Sequence, residues 1–379
     1  MTSYLRILLV TIASAFQLPS FLATELQAQD APGIEKLSTF YFGNSFTGNT
    51  MPGLHPLLGE SAGRVWTVEA NISPGIPIWA HMKQQMDGGP AFEKFQNFGA
   101  EIDAIVMLIF GGDGLSCTVT EKWQGKVQFD KPTDIGDVAA CSYLIREYLK
   151  LNPHGRAYIY TAWPGIPEVR DLRARIREEA IQSAMRPGER RRDVMGRIKT
   201  RKPRHEEMEP LRKAFDYASH WLKDYDPDEP RGNTHCRRHM YDAMEGLKKE
   251  FPNLWKEGRL GMVPVGDVFL ALDKKMKAGV VPGIENIGEY SADGGHLRSG
   301  LPRYTLAVTH YAVLFRGHPR HVEWKVFQDR DNYESGKHGF YVHQPDLAVH
   351  LDITPERVQV VNDTIWEVVT KHPYTHVED

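Results

Sequence analysis

The order of elements along the chain predicts an α/β fold, a central parallel sheet of about five strands with helices on both faces. Three observations carry that reading. Short strand-like runs alternate with helical stretches, the way a parallel sheet is wound. One of those runs, Ala104 to Phe110, is apolar without a break, as a central parallel strand buried on both faces must be. And 379 residues that are 41% hydrophobic and 25% charged can form one large core.

Taken in order, the first residues read as an export signal: Arg6 supplies a short charged region, Ile7 to Ala23 is mostly apolar, and Ala28 offers a cleavage site. Gln17, Pro19 and Ser20 interrupt the run, leaving too few unbroken apolar residues for a membrane span. The expectation is a signal peptide over 1–28 and a secreted or periplasmic domain over 29–379, with no membrane association after cleavage. Leu37 to Gly43 reads as the first strand and Val65 to Asn71 as the second; between them Met51, Leu54 and Leu58 recur at helical spacing. Ala104 to Phe110 is the third, Ala157 to Ala162 the fourth and Gly261 to Val265 the fifth, with a helix from about Ile135 to Leu151 before the fourth.

Residues 167–251 exceed what a five-strand domain needs and read as a charged helical insertion, broken by Pro187-Gly188 and Pro203. Val169 to Arg204 holds thirteen Lys and Arg against five Asp and Glu, so the rest of a chain with net charge −3 is acidic. That run is either a solvated face or a docking surface for an anionic polymer. After the fifth strand, Leu301, Tyr304, Val308, Tyr311 and Phe315 mark an amphipathic helix stopped at Arg316-Gly317. Residues 318–379 form a C-terminal extension whose last helix has Thr354 as N-cap, Pro355 in its first turn, and Val358, Val361, Ile365 and Val368 as its apolar stripe. The three cysteines, Cys117, Cys141 and Cys236, are too few for a disulfide framework.

Parallel sheets carry chemistry beyond the carboxyl ends of their strands. Gly43-Asn44-Ser45-Phe46-Thr47 lies at that end of the first strand, which places Ser45 like a nucleophile. Ser291-Ala292-Asp293-Gly294-Gly295-His296-Leu297 follows the fifth strand, on the same rim. There an Asp three residues before a His can hold one imidazole nitrogen while the other takes a serine proton.

These residues resemble the SGNH or GDSL hydrolases, and more closely the secreted members that open with Gly-Asn-Ser-Phe-Thr. The resemblance covers about Leu37 to Gly165 and Gly261 to Gly317. It implies a flavodoxin-like three-layer αβα sandwich and esterase or acetylesterase chemistry without a metal or other cofactor. By the same resemblance Ser45 is the nucleophile and Asp293 and His296 the acid and base. Gly75, in Ser73-Pro74-Gly75-Ile76-Pro77, matches the glycine whose N–H serves the oxyanion. Two departures stand out. Asn44 replaces the usual Asp, as in related Gly-Asn-Ser members. Asp113, in Phe110-Gly111-Gly112-Asp113-Gly114, replaces the Asn whose amide donates to the oxyanion. An ionised carboxylate has no proton to donate there, and the N–H groups of Gly111 or Gly112 are the alternative donors.

Gly59-Glu60-Ser61-Ala62-Gly63 fits a Gly-x-Ser-x-Gly pattern, but a helix precedes it and a strand follows, the reverse of a nucleophile turn. His235 and His239 stand four apart and lack the acidic residue of a zinc helix motif. His55 and His81 are pocket, surface or satisfied core histidines; Trp79 and Trp163 are sugar platforms or core aromatics. The expected function is hydrolysis of a carboxylic ester by a Ser-His-Asp mechanism, an acetyl or small acyl group on a carbohydrate. The alternative is an impaired domain that keeps the pocket and binds a glycan. The expected partner is a small-molecule or polysaccharide ester, not nucleic acid.

Overall fold

Every strand pairing is parallel. β1 (Lys36–Gly43), β2 (Val65–Ile72), β3 (Ala104–Ile109), β4 (Arg156–Thr161) and β5 (Leu260–Val263) form one sheet in the spatial order β2-β1-β3-β4-β5. The chain is described by a computed structural model over residues 34–109, 136–224, 235–333 and 350–378. All six residues of β3 are buried, which is why its sequence, AIVMLI, carries no polar alternation. From β1 the chain moves outward to β2 and then crosses back to β3, so the strand order reverses beside the carboxyl end of β1. Ligand crevices of open parallel sheets lie at such a reversal.

Among the described residues the helices between β1 and β4 are α1 (Ser45–Asn49), α2 (His55–Ser61), α3 (Ile78–Asp87), α4 (Pro90–Phe98) and α5 (Asp137–Leu151). Between β4 and β5 come α6 (Pro167–Ala184), α7 (Arg191–Arg197), α8 (His205–Lys213), α9 (Tyr217–Trp221), α10 (Arg237–Glu250) and α11 (Pro252–Lys256). α12 (Val265–Lys277), α13 (Leu301–Leu314) and α14 (Pro355–Lys371) complete the set. One layer holds α3, α5 and α10, which pack on one another and on β1, β3 and β5; the other holds α2, α12 and α13, against β2, β4 and β5. This is a three-layer αβα sandwich.

Three local readings change. Val265 does not end β5 but opens α12, because Pro264 cannot donate to the ladder. α13 is buried all round rather than amphipathic, since α14 covers its outer side. At the end of α13, Arg316 and not Gly317 takes the left-handed conformation, with φ 52°; its guanidinium is held by the Gly258 carbonyl at 2.8 Å. In α14, Thr354 caps the Arg357 N–H as expected, and the buried stripe ends on Val369 with Val368 half-buried. At the end of the charged stretch, α10 packs on α5 and β5 as part of the sandwich, which leaves α6 to α9 outside that layer.

Candidate active site

The nucleophile segment is built from its own sequence. β1 ends at Gly43, where a Cβ would fall 1.7 Å from Thr47 Oγ1, so only glycine lets α1 turn back this tightly. Asn44 caps α1, accepting the Phe46 N–H at 2.9 Å and donating to the Ile76 carbonyl at 3.1 Å. Ser45 is the first residue of α1 and half-buried. The turn after β2 is tied to the same place: the Ser73 N–H donates to the Gly43 carbonyl at 3.0 Å. Gly75 tops that turn with φ +77° and open space where a side chain would be. From beneath, His81 donates Nε2–H to the Gly43 carbonyl at 2.9 Å. Burial lowers its pKa to about 4, so this imidazole is a neutral structural donor.

Ser45 Oγ lies 2.8 Å from His296 Nε2, and His296 Nδ1 lies 3.0 and 3.1 Å from the two carboxylate oxygens of Asp293. With Nδ1–H donating to Asp293, Nε2 is left to accept the serine proton. His296 and Asp293 are each about a fifth exposed, open enough for a substrate to reach. Asp293 Oδ1 also accepts the N–H groups of Gly295 and His296, at 3.2 and 2.9 Å, which fixes the carboxylate in its own turn.

Each backbone carbonyl from Ala292 to Leu297 is paired. Ala292 accepts from Arg212 at 2.7 Å, Asp293 from Arg173 at 3.2 Å, Gly294 from the Ile166 N–H at 2.7 Å and Gly295 from Trp163 Nε1 at 2.9 Å. His296 accepts from the Ala292 N–H at 2.7 Å, and Leu297 from Arg303 at 3.3 Å. Arg212 and Arg303 are fully buried, and burial pulls the Arg212 guanidinium below its ordinary pKa. Arg173 also meets Asp293 Oδ2 at 3.1 Å. Asn49 joins the two halves of the site: it donates to the Ser45 carbonyl at 2.7 Å and accepts the Leu297 N–H at 3.0 Å.

An aromatic ledge flanks the triad. Phe46 stacks on Trp163 with ring centroids 4.5 Å apart, edges His296 at 5.5 Å and meets the His235 ring at 6.1 Å. Sequence reasoning gave no role at this site to Asn49, Arg173, Arg212, Arg303 or His235. Asn49 stands one helical turn beyond Ser45 and Arg303 six residues from Leu297, whereas Arg212 and Arg173 lie 80 and 120 residues from the carbonyls they serve.

Of the remaining candidates, Gly111, Gly112, Asp113 and Cys117 lie outside the described residues, as does the segment 1–28. Ser61 ends α2, donates to the Leu58 carbonyl and accepts the Glu323 N–H, and meets no part of the triad through these bonds. His55 is a core residue, fully buried and stacked on Trp66 at 4.2 Å, with its pKa lowered by that burial. Trp79 and Trp163 are both buried, Trp163 donating to the Gly295 carbonyl and stacking on Phe46, so both are core aromatics rather than sugar platforms. His239 pairs with Asp137 at 3.0 Å, while His235 precedes α10, so the two do not share a helical face. Among the described residues no cluster of three His, Cys, Asp or Glu side chains is placed to hold a metal ion. Nor is any described helix long and apolar enough to cross a membrane. Cys141 and Cys236 are buried thiols.

No family model matches the chain, and no curated protein does. Among solved structures it is similar to a DUF4886 family protein from Bacteroides uniformis, with 12% identity and a TM-score of 0.44 over 90% of this chain and 98% of that one. It is similar to a protein described as a GDSL-like lipase, from Parabacteroides merdae, with 14% identity and a TM-score of 0.34 over 73% and 94%. A Streptococcus pneumonia protein described as a platelet activating factor shows 13% identity and a TM-score of 0.29 over 74% and 83%.

Proposed function

We propose that the chain is an exported serine esterase that removes an acetyl or other small acyl group from a carbohydrate. The observation that carries this is the continuous hydrogen-bond chain from Ser45 through His296 to Asp293 at the strand-order reversal. In the reaction Ser45 Oγ attacks the ester carbonyl while its proton passes to His296 Nε2. Negative charge then develops on the carbonyl oxygen. The Ser45 N–H, at the start of a helix where no intrahelical acceptor exists, and the Gly75 N–H are the assigned donors. Collapse breaks the bond to the alcohol, which leaves with the proton from His296. Water attacks the acyl-serine by the same route in reverse, releasing the acid and restoring Ser45. Asp293 holds the imidazole and stabilises its charged form. Phe46 and Trp163, both buried, pack beside the imidazole and hold its loop in place.

The test is labelling by a fluorophosphonate probe together with acetate release from acetylated polysaccharides. Both are expected in the wild type and both vanish in Ser45→Ala, with the fold intact by circular dichroism. Labelling that survives in Ser45→Ala assigns the nucleophile elsewhere. A second reading rests on the sequence resemblance, by which Asp113 takes the position of the Asn that donates to the oxyanion: a catalytically impaired domain that binds a glycan. If so, Asp113→Asn raises turnover by roughly 10- to 10³-fold, the scale of one oxyanion donor; an unchanged rate favours Gly111 or Gly112 as donors.

A further inference from the structure

The positive charge of the insertion is unevenly spent. Away from the triad it is largely neutralised: Arg191 pairs with Glu178, Arg197 with Glu189, and Arg190 with Asp193. Along one face of α6 it is only partly so. Arg170, Arg173 and Arg177 recur at helical spacing, and together with Arg201 and Lys202 they line a groove of about 500 Å³ with no acidic residue in its described wall. Arg201 is engaged by Glu207 through two bonds of 2.7 and 2.8 Å, and Arg173 by Asp293. Arg170, Arg177 and Lys202 have no ion pair among the described residues, so three of the five cations of the groove remain without a carboxylate partner there. Cations brought together this way repel one another, and an anion in the groove relieves that repulsion.

The groove is joined to the catalytic centre through one residue. Arg173 stands in its wall and also bonds both the carboxylate and the carbonyl of Asp293. A polymer whose esterified unit sits at Ser45 can therefore run past the catalytic loop and along α6. No aromatic ring among the described residues lines the groove, so nucleic-acid bases would find nothing there to stack on, whereas guanidinium forks match carboxylates two bonds at a time.

We infer that this groove is a subsite for the carboxylates of an acidic polysaccharide, and that the ester cleaved at Ser45 is carried by such a chain. The inference rests on the esterase reading for its second half only. Its test uses the triple variant Arg170→Gln, Arg177→Gln, Lys202→Gln, which leaves Arg173 and the triad untouched. In the Ser45→Ala protein, unesterified polygalacturonate is titrated calorimetrically with and without the three substitutions; their presence is expected to weaken binding about tenfold or more and to flatten its salt dependence. In the active protein, kcat/KM on acetylated polygalacturonate falls by a similar factor, while kcat/KM on p-nitrophenyl acetate and on a neutral acetylated glucan is unchanged.

Equal binding with and without the substitutions overturns the groove. Single-stranded DNA of matched charge binding as tightly as polygalacturonate overturns the polysaccharide assignment. Binding that responds as expected in a protein that cleaves no ester upholds the groove and removes the esterase reading, so the two failures are distinct.

Discussion

The two halves of the triad are held in opposite ways. Around Ser45 the bonds that shape the turn are short in sequence, Asn44 reaching two residues to Phe46, Asn49 four back to Ser45 and Thr50 three back to Thr47. Longer ones from Ser73 and His81 to Gly43 and from Asn44 to Ile76 tie it down. Around Asp293 and His296 they are long. Arg212 reaches Ala292 across 80 residues, Arg173 reaches Asp293 across 120 and Trp163 reaches Gly295 across 132. The turn that carries Ser45 takes its local shape from its own heptad of residues and is then tied down by the turn after β2 and by His81, whereas the loop that carries His296 is seated mainly by donors far away in the chain. Two of its donors, Arg173 and Arg212, come from the helices between β4 and α10, so that segment helps to set the position of the Asp293–His296 pair.

The largest effect expected is within the half that carries His296. Asp293→Asn keeps the size of the side chain but loses the carboxylate that orients and stabilises the imidazolium, and kcat should fall on the order of 10³- to 10⁴-fold with KM little changed. Steady-state kinetics on one acetyl ester reads this; a loss under tenfold would falsify the assigned role.

Arg212→Met tests the long-range support. It leaves the buried Ala292 carbonyl without its guanidinium donor, at a cost of about 1–3 kcal/mol. It also removes a desolvated charge, which offsets part of that cost. The net change in urea unfolding is expected to be below about 2 kcal/mol. Turnover should nonetheless drop by roughly 10- to 100-fold, because a loop displaced by a fraction of an ångström misplaces His296. A stability loss with full activity would mean that the loop keeps its place without Arg212.

The support under the nucleophile responds to pH. Burial holds His81 near a pKa of about 4 in the folded protein against 6.5 for a free histidine. Between those values the unfolded chain binds a proton that the folded one refuses, so stability is full above about 6.5 and is lost as pH falls toward 4. His310, also lowered to about 4 by burial, contributes in the same direction and window. Each adds a slope of up to about 1.4 kcal/mol per pH unit. Urea titrations at pH 7, 6, 5 and 4 measure it, and His81→Gln is expected to remove one histidine's share. An unchanged slope in that variant would place the proton uptake elsewhere.

The smallest effect belongs to the local support. Asn44→Ala removes the cap of α1 and the bond to Ile76, a loss of about 1–2 kcal/mol. Because β1, Gly43 and Asn49 still fix the turn, turnover is expected to change less than tenfold. A larger kinetic loss would give Asn44 a part in the chemistry.

What the sequence determined by itself is what short-range physics can encode. An uninterrupted apolar strand such as β3 announces burial on both faces, and the strand-helix alternation announces the parallel sheet. Gly43, Asn44 and Ser45 sit together because a turn and a cap need only neighbours. The spacing of Asp293 and His296 likewise shows that one can orient the other. What the tertiary structure decided is where that pair stands. A bond of 2.8 Å between residues 251 apart has no signature in spacing, and a buried arginine such as Arg212 looks in sequence like any charged residue of a solvated helix. Val265 and the wholly buried α13 were misread for the same reason: a strand's end and a helix's outer face depend on what packs against them. The long-range donors that seat the catalytic loop exist only once the sheet has brought distant segments to one rim, and there burial makes each unpaired carbonyl costly enough to require a partner.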